Sequence, residues 1–184
     1  MRDICVDIET TGTSPDRTAI IQIAAVKFDL LTGEVDHNFF NECLSIPPTR
    51  FWSDDTRSWW MRQKQAVLAG IFERMRDPGT VMNEFVSWAG YDNPRFWSKP
   101  LSFDYPFISS YCKDFGLHVP FSYREAMDCR SYLQGLAFPE SPISERDIEF
   151  DGDAHNAIFD VLFQIKWLLA NQTRFGSIQD AVSE

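Results

Sequence analysis

The sequence predicts an α/β fold, in which a mixed five-stranded sheet that begins with three antiparallel strands is flanked by helices. Three apolar runs rich in β-branched residues follow one another within residues 3–44 and are separated by turn residues. Helical and strand-like segments then alternate, and a segment with a 3.6-residue apolar period closes the chain. This order of elements is typical of a mixed sheet that is covered by helices.

The three strands of the predicted meander are joined by short turns. The run ICVDI within residues 3–8 is almost continuously apolar, and the residues at 10–15 have turn chemistry. A second apolar run covers residues 19–31, and a Thr-Gly pair leads into a third strand over residues 35–44.

Helices and strands alternate in the rest of the chain. The expected elements are a helix that Ser53 caps, a helix over residues 80–89, a strand over 95–98, a helix over 105–115 that ends at Gly116, and a strand or strand end over 126–129. The short apolar run VLAGIF at 67–72 has no firm assignment. Residues 137–152 contain two prolines and several acids and predict a loop, which precedes a last helix over residues 154–171.

Length, composition and charge limit the classes of protein that fit this chain. The 184 residues are expected to form a single domain, and a hydrophobic content of 44% argues against disorder. The sequence has no membrane-length apolar run and no signal-peptide pattern, so we expect a cytoplasmic protein that does not bind membranes. The four cysteines form no CxxC pair, which disfavours a zinc cluster. A net charge of −10 disfavours a basic surface for long nucleic acid and favours a cation site or a solubilising surface.

Asp7 and Glu9 lie in the first predicted strand, where two acids need an explanation. Residues two apart on a strand point to the same face, so both carboxylates lie on one side of the sheet. An unpaired charge within an apolar strand is costly, whereas two carboxylates at this spacing can converge on a metal ion. A position at a sheet edge or strand end is the alternative explanation.

Two further acids and a histidine lie near the starts of predicted helices. Asp104 follows a strand end, where it can cap the next helix or project into a crevice at the sheet edge. Asp160 borders the apolar face of the last helix, and the sequence has no lysine or arginine within one turn of it. His155 is one of three histidines, and it can face the same site as Asp160 only from the loop or the first helical turn.

Taken together, these residues predict a site for divalent cations. Asp7, Glu9, Asp104 and Asp160 offer hard oxygen ligands, the type that Mg²⁺ and Mn²⁺ prefer. Four carboxylates in one place would repel one another unless cations neutralised them, and two divalent ions could bind a phosphodiester between them. His155 would supply the proton-accepting group that hydrolysis requires.

The same residues fall in three sequence blocks that resemble those of a known enzyme family. DIETTG from residue 7, the pair Phe103-Asp104, and HNAIFD at 155–160 are similar, in order and spacing, to the DEDDh 3′–5′ exonucleases of the DnaQ-like, ribonuclease H-like superfamily. Residues 97–106 and 56–63 further resemble the branch that contains mycobacterial-type 3′–5′ exoribonucleases and exonuclease A of T-even phages.

This resemblance implies a ribonuclease H-like fold and a two-metal 3′–5′ exonuclease that releases nucleoside 5′-monophosphates. Asp7, Glu9, Asp104 and Asp160 would hold two Mg²⁺ or Mn²⁺ ions, with Asp7 touching both. His155 would take the proton of the attacking water and complete the catalytic set.

Candidate residues for substrate binding also follow from the resemblance. The backbone amides of Thr10 and Thr11 would hold the terminal 3′-hydroxyl. The rings of Phe103, Trp59 and Trp60 would stack on terminal bases, with core packing as the alternative for at least one tryptophan. The phosphate-contacting candidates are Arg17, Arg57, Arg62 and Lys99.

The chain departs from the family pattern at Pro100, where members usually have an asparagine. How the nucleotide beside the scissile bond is held therefore stays open. Ser102 is a candidate for this role, and Ser98 is the alternative.

The substrate, the oligomeric state and two other functions stay open at the level of the sequence. The 3′ end of RNA or DNA, single-stranded or as an overhang, is the expected partner. Four aromatic residues fit either a homodimer interface or a packed core: Phe39, Phe40, Phe51 and Trp52. The alternatives to a free exonuclease are an adaptor module that binds nucleic acid on the same fold, which the intact acids disfavour, and an editing component of a polymerase.

Overall fold

The computed structural model describes residues 1–90 and 93–176, and it confirms the predicted α/β class with a mixed sheet between helices. The strands in this part of the chain are β1 (Asp3–Thr10), β2 (Ile20–Phe28), β3 (Phe40–Leu44), β4 (Met75–Arg76), β5 (Arg95–Ser98) and β6 (Ala126–Asp128). The α-helices are α1 (Asp54–Trp60), α2 (Gln65–Glu73), α3 (Pro78–Ala89), α4 (Leu101–Asp114), α5 (Cys129–Ala137) and α6 (Ala157–Phe175). Of the helices in these residues, none is long and apolar enough to cross a membrane.

Strand order places β1 at the centre of the sheet. The order is β4-β3-β2-β1-β5-β6, with β2 antiparallel to both β1 and β3, and with β5 parallel to β1 and β6. Because β1 and β5 are parallel, their carboxyl ends meet at the same edge of the sheet. Residues that follow these two strands are therefore brought close together.

Helices pack on both faces of the sheet, and the alternation of β1 decides which residues face which layer. Ile4, Val6 and Ile8 are buried against α3 and α4, whereas Cys5 is buried against α5 and α6. Asp7 and Glu9 share the Cys5 face by the same alternation. Both acids consequently lie on the side of the sheet that α6 covers.

The sheet differs from the expected one at the edge formed by β3 and β4. The third strand begins at Phe40 instead of residue 35, because Val35 forms only an isolated bridge with Phe28. The two-residue β4 adds a sixth strand, which is too short to give a sequence pattern. Phe40 packs against Phe85 in the core, so the packed-core alternative is confirmed for Phe40.

The helices α2, α5 and α4 differ most from the prediction, whereas the last helix is shifted by about one turn, to Ala157–Phe175. The unassigned run at 67–72 lies within α2, and α5 was not expected although Asp128 caps it by accepting a hydrogen bond from the backbone N–H of Ser131. The helix expected from residue 105 begins at Leu101, and Pro106 lies inside it. A proline at this position removes one backbone hydrogen bond and crowds the carbonyl four residues earlier, a cost that the buried packing of α4 offsets, so it does not mark the boundary.

Candidate active site

Asp7 and Glu9 converge with Asp160 at the carboxyl end of the central strand. One carboxylate oxygen from each of the three residues lies within 4.8 Å of the other two. Asp160 reaches this point because α6 crosses the face of the sheet that carries Asp7 and Glu9. The three acids therefore form a cluster with the spacing of ligands around one cation.

Asp104 lies in the first turn of α4, directly after β5, and is 2% exposed. Its Oδ2 atom and the hydroxyl of Ser98 are both buried, and neither makes a hydrogen bond of good geometry among the described residues, although Ser98 and the backbone of Ile8 lie close enough to Asp104 to lower its pKa. The capping alternative for Asp104 is wrong, because Pro100 occupies the N-cap position of α4 and no side chain caps it. A buried carboxylate oxygen without a good hydrogen bond from the protein fits a cation as its partner.

His155 stands in the loop before α6, as a shared site with Asp160 requires. Its backbone has a φ of 63°, and its backbone N–H donates a hydrogen bond of 3.0 Å to Asp160 Oδ2. The imidazole ring packs edge-on against the indole of Trp59, with the ring centroids 4.7 Å apart. This contact fixes the histidine between the carboxylates and α1.

The five predicted catalytic residues line one pocket of about 250 Å³. The other lining residues are Ile8, Lys99, Phe103, Phe163 and Gln164. The acids come from a strand, from a strand-to-helix junction and from the last helix. Their catalytic and metal-binding roles stay predictions, although the structure brings all of them to one place.

Burial raises the pKa of the acids in this pocket. The pKa values of Asp7 and Glu9 are raised first by desolvation and then by repulsion from the neighbouring carboxylates. Desolvation raises the pKa of Asp104 to about 7. It also raises the pKa of Asp160, an effect that His155 and Lys99 partly offset. These carboxylates can all be charged near neutral pH only if cations balance them, so the pocket fits divalent metal ions.

The raised pKa values predict that metal binding stabilises the fold most at neutral and higher pH. Asp104 has a usual pKa of 3.8, so the unfolded chain loses this proton before the folded protein does, and metal-free stability falls as pH rises from about 4 to about 7. Mn²⁺ should therefore raise the melting temperature above its value in EDTA by more at pH 7.5 than at pH 5.5. Thermal scans at both pH values test this, and an increment that is zero or independent of pH would contradict it.

A second pocket of about 500 Å³ adjoins the first, since both are lined by Ile8, Glu9 and Phe103. Its remaining lining residues are Thr10, Gly12, Thr13, Asp55, Thr56, Trp59 and Arg62. The aromatic rings and the open cleft give it the character of a site for a base and its sugar.

A match along the sequence identifies the family. Residues 2–171 match the profile of the 3′–5′ exoribonuclease Rv2179c-like domain. This chain belongs to that family. The match confirms the resemblance to 3′–5′ exonucleases that the sequence blocks indicated, and it supports nuclease activity.

Solved structures confirm the fold of this Rv2179c-like chain. Escherichia coli exonuclease I in complex with a dT13 oligonucleotide is 15% identical, has a TM-score of 0.76 and covers 97% of this chain. Exonuclease I from Methylocaldum szegediense is 14% identical, has a TM-score of 0.68 and also covers 97%. The Rv2179c-like chain spans 42% of each of these two chains. No curated protein sequence matches it.

The substrate-binding candidates of this Rv2179c-like domain divide into two groups. Thr10, Trp59 and Phe103 line the second pocket, and Arg62 and Lys99 each line one of the two. Six other candidates line neither pocket: Thr11, Trp60, Ser98, Ser102, Arg17 and Arg57.

Thr11 and Trp60 are structural, which corrects the expectation that they bind substrate. The backbone N–H of Thr11 donates to Ala19 O at 2.8 Å, and its side chain is fully buried, so its amide is not available to a terminal hydroxyl. Trp60 is 1% exposed, and its indole N–H donates to Thr10 O at 3.0 Å. Only Trp59 of the tryptophan pair faces the cleft.

Ser102 and two cations are likewise outside the pockets. Ser102 is exposed on the first turn of α4. Arg17 lies over the ring of Phe51, and Arg57 lies on the side of α1 away from the cleft, near Trp52. Ser102 therefore does not take the role of the asparagine that family members usually have at the position of Pro100.

Two buried glutamines position residues of the site through hydrogen bonds, and neither was identified from the sequence. Gln164 donates to Asp7 Oδ1 at 2.9 Å. Gln22 on β2 donates to Asn156 Oδ1 at 2.8 Å and accepts from the N–H of Ala157 at 3.2 Å, so it anchors the segment that follows His155. Each had a signal: Gln22 interrupts an apolar strand, and Gln164 follows Asp160 by one helical turn.

Proposed function

We propose that this chain is a 3′–5′ exonuclease that hydrolyses RNA or DNA, single-stranded or as a 3′ overhang, with two divalent metal ions, and releases nucleoside 5′-monophosphates. One observation carries the proposal. Four buried or half-buried carboxylates from three separate segments meet beside a histidine, at a charge density that the protein itself does not balance. Such a group of acids is costly to fold unless its role is to bind cations.

The proposed roles of the residues follow from their positions. Asp7, Glu9 and Asp160 form the cluster with ligand spacing, and Asp104 offers an unpartnered oxygen beside Asp7. Mg²⁺ or Mn²⁺ held there would lower the pKa of water and balance the charge that develops on a phosphodiester during in-line attack. His155 would accept the proton of the attacking water, and its hydrogen bond to Asp160 would hold it in place.

The second pocket would hold the 3′-terminal nucleotide. Trp59 and Phe103 would stack on its base and sugar, and Thr10 would contact the terminal hydroxyl. Exonuclease I of Escherichia coli, which has the same fold, is described in complexes with single-stranded DNA and in a zinc-bound form. These complexes support a nucleic-acid 3′ end as the substrate here, while the sequence does not settle RNA against DNA and its branch resemblance slightly favours RNA or a 3′ overhang.

A degradation assay on matched strands tests the proposed function. RNA and DNA of one sequence, labelled at the 5′ end and single-stranded or with a 3′ overhang, are incubated with the protein and Mn²⁺. We expect a ladder that shortens from the 3′ end and stops in EDTA, and resistance of a strand with a blocked 3′ end. Intact strands under all conditions would contradict the proposal and favour an adaptor module.

The affinity for a nucleic-acid strand should depend only weakly on salt. Among the described residues that line the two pockets, Lys99 and Arg62 carry the permanent positive charges. Two phosphate contacts on a single strand give a slope of log K against log salt of about −1.4. Titration of a labelled 3′-tailed strand from about 50 to 200 mM salt, with Mg²⁺ and the slow variant His155→Asn, measures the slope, and a value of about −5 or steeper would contradict this prediction.

We also propose that residues 1–184 work as one exonuclease domain and act in the cytoplasm. Phe39 and Phe51 are 38% and 43% exposed, which supports a homodimer in which these two rings are covered. Sedimentation equilibrium tests the homodimer, and a monomer at all concentrations would exclude it.

A further inference from the structure

Lys99, one of the phosphate-contacting candidates, lies inside the carboxylate pocket in an ion pair that the proposed function does not use. It directly follows β5, lines the pocket and is 15% exposed in its side chain. Its Nζ lies 2.6 Å from Glu145 Oε2 and within 5.6 Å of the ring centroids of Phe163 and Trp167. The two aromatic faces and Glu145 hold the ammonium group of a residue that lines the pocket.

The partner of Lys99 has a second cation. Glu145 Oε1 lies 3.7 Å from Arg130 Nε, and Arg130 is 57% exposed. If Lys99 left Glu145, the carboxylate would keep a positive neighbour and would still face solvent. Glu145 can therefore release the lysine at low cost, because it is neither buried nor left unpaired.

Glu145 occupies the place that a substrate anion would take beside Lys99. Of the described residues that line the carboxylate pocket, Lys99 is the one with a permanent positive charge, and it already acts on Asp160. A phosphate oxygen accepts a charge-assisted hydrogen bond from an ammonium group as a carboxylate oxygen does. The lysine thus has one acceptor in the protein and room for a second in the pocket.

We propose that Lys99 binds a phosphate of the nucleic-acid strand inside the carboxylate pocket, and that Glu145 competes with this phosphate for the lysine. The inference rests on the proposed exonuclease function. Lys99 is then a substrate-binding residue in the carboxylate pocket, and Glu145 sets its availability. Arg130 receives Glu145 when the substrate enters.

Opposite effects of two substitutions test this competition. Lys99→Met should raise KM by about 10-fold, because one charge-assisted hydrogen bond to phosphate is lost. Glu145→Gln should lower KM by about 3-fold, because the lysine no longer has a charged competitor. The double variant should behave as Lys99→Met alone, and Lys99→Arg should restore most of the affinity.

Binding measurements keep this test separate from the test of the proposed function. The same substitutions are made in the His155→Asn background, and the Kd for a 5′-fluorescein strand is measured by anisotropy with Mg²⁺. If the wild type shortens no strand but the Kd values change in opposite directions, the exonuclease proposal fails and the role of Lys99 stands. If Lys99→Met and Glu145→Gln weaken binding equally, or neither changes it, the ion pair is only structural and the inference is wrong. Melting temperatures of all variants show whether each is folded.

Discussion

Asp104→Asn is expected to lower turnover by about 10³-fold and at the same time to stabilise the metal-free protein. The substitution removes a proposed ligand, and three decades in rate correspond to roughly 4 kcal/mol of lost transition-state stabilisation. Burial raises the pKa of Asp104 to about 7, so at pH 8 the metal-free protein carries a buried charge that asparagine does not have. Even if the asparagine amide stays partly unpaired, the melting temperature at pH 8 should rise by roughly 5 °C.

Two measurements distinguish the loss of a metal ligand from a general destabilisation of the fold. Turnover is measured on the labelled strand with Mn²⁺, and the melting temperature is measured in EDTA, where the gain should shrink toward zero as pH falls from about 7 to about 4. Glu73→Gln is the matched control, because Glu73 is exposed at the end of α2 and lines neither pocket. Full turnover in Asp104→Asn would show that Asp104 is not a metal ligand. A loss of stability at pH 8 would show that the charge of Asp104 does not destabilise the metal-free protein.

His155→Asn is expected to lower kcat by about 10²- to 10⁴-fold with little change in KM or in metal binding. The imidazole would be lost as proton acceptor, while the carboxylates stay in place. Asparagine is the suitable replacement because His155 has a φ of 63°, a left-handed conformation that asparagine tolerates better than most residues. The backbone N–H that donates to Asp160 is kept.

The other two histidines provide the control for this second prediction. His37→Asn and His118→Asn remove the same ring from positions that line neither pocket. Single-turnover rates of the three variants on one strand should fall only for His155→Asn. A rate within about 3-fold of the wild type for His155→Asn would remove the histidine from the proposed proton transfer.

The central part of the fold was predictable from local pattern alone. β1, β2, α3 and β5 have clear apolar runs or stripes, and the structure has all of them near the expected bounds. β4 was not predictable, because two residues carry no period and the strand exists only through its pairing with β3. The start of α4 was not predictable, because a proline favours the first turn of a helix, whereas Pro106 is the sixth residue of a helix that begins at Leu101.

The five catalytic candidates were predictable because their chemistry does not fit their local structure. Acids in an apolar strand and on an apolar helical face need a partner, and the structure brings the five candidates into one pocket. The substrate-binding candidates were less predictable. Which of two adjacent tryptophans faces a cleft depends on how α1 packs on the sheet, and the burial of Thr11 depends on its pairing with Ala19. Neither of these contacts can be predicted from the pattern of the neighbouring residues in the sequence.

Lys99 and Glu145 are 46 residues apart, which explains why sequence reasoning could name the lysine but not its competitor. The loop that carries Glu145 has no regular period, and its many acids indicate only a solvated surface. Contacts of this kind depend on the complete fold.

The central claim is that Asp7, Glu9, Asp104 and Asp160 hold divalent cations at the end of β1. Anomalous diffraction from a crystal of the protein soaked in Mn²⁺ with a nucleoside 5′-monophosphate tests it most directly. We expect manganese peaks within about 2–2.5 Å of oxygens of these four carboxylates. A map in which this pocket has no peak, while manganese is bound elsewhere or the nucleotide is bound without it, would contradict the account.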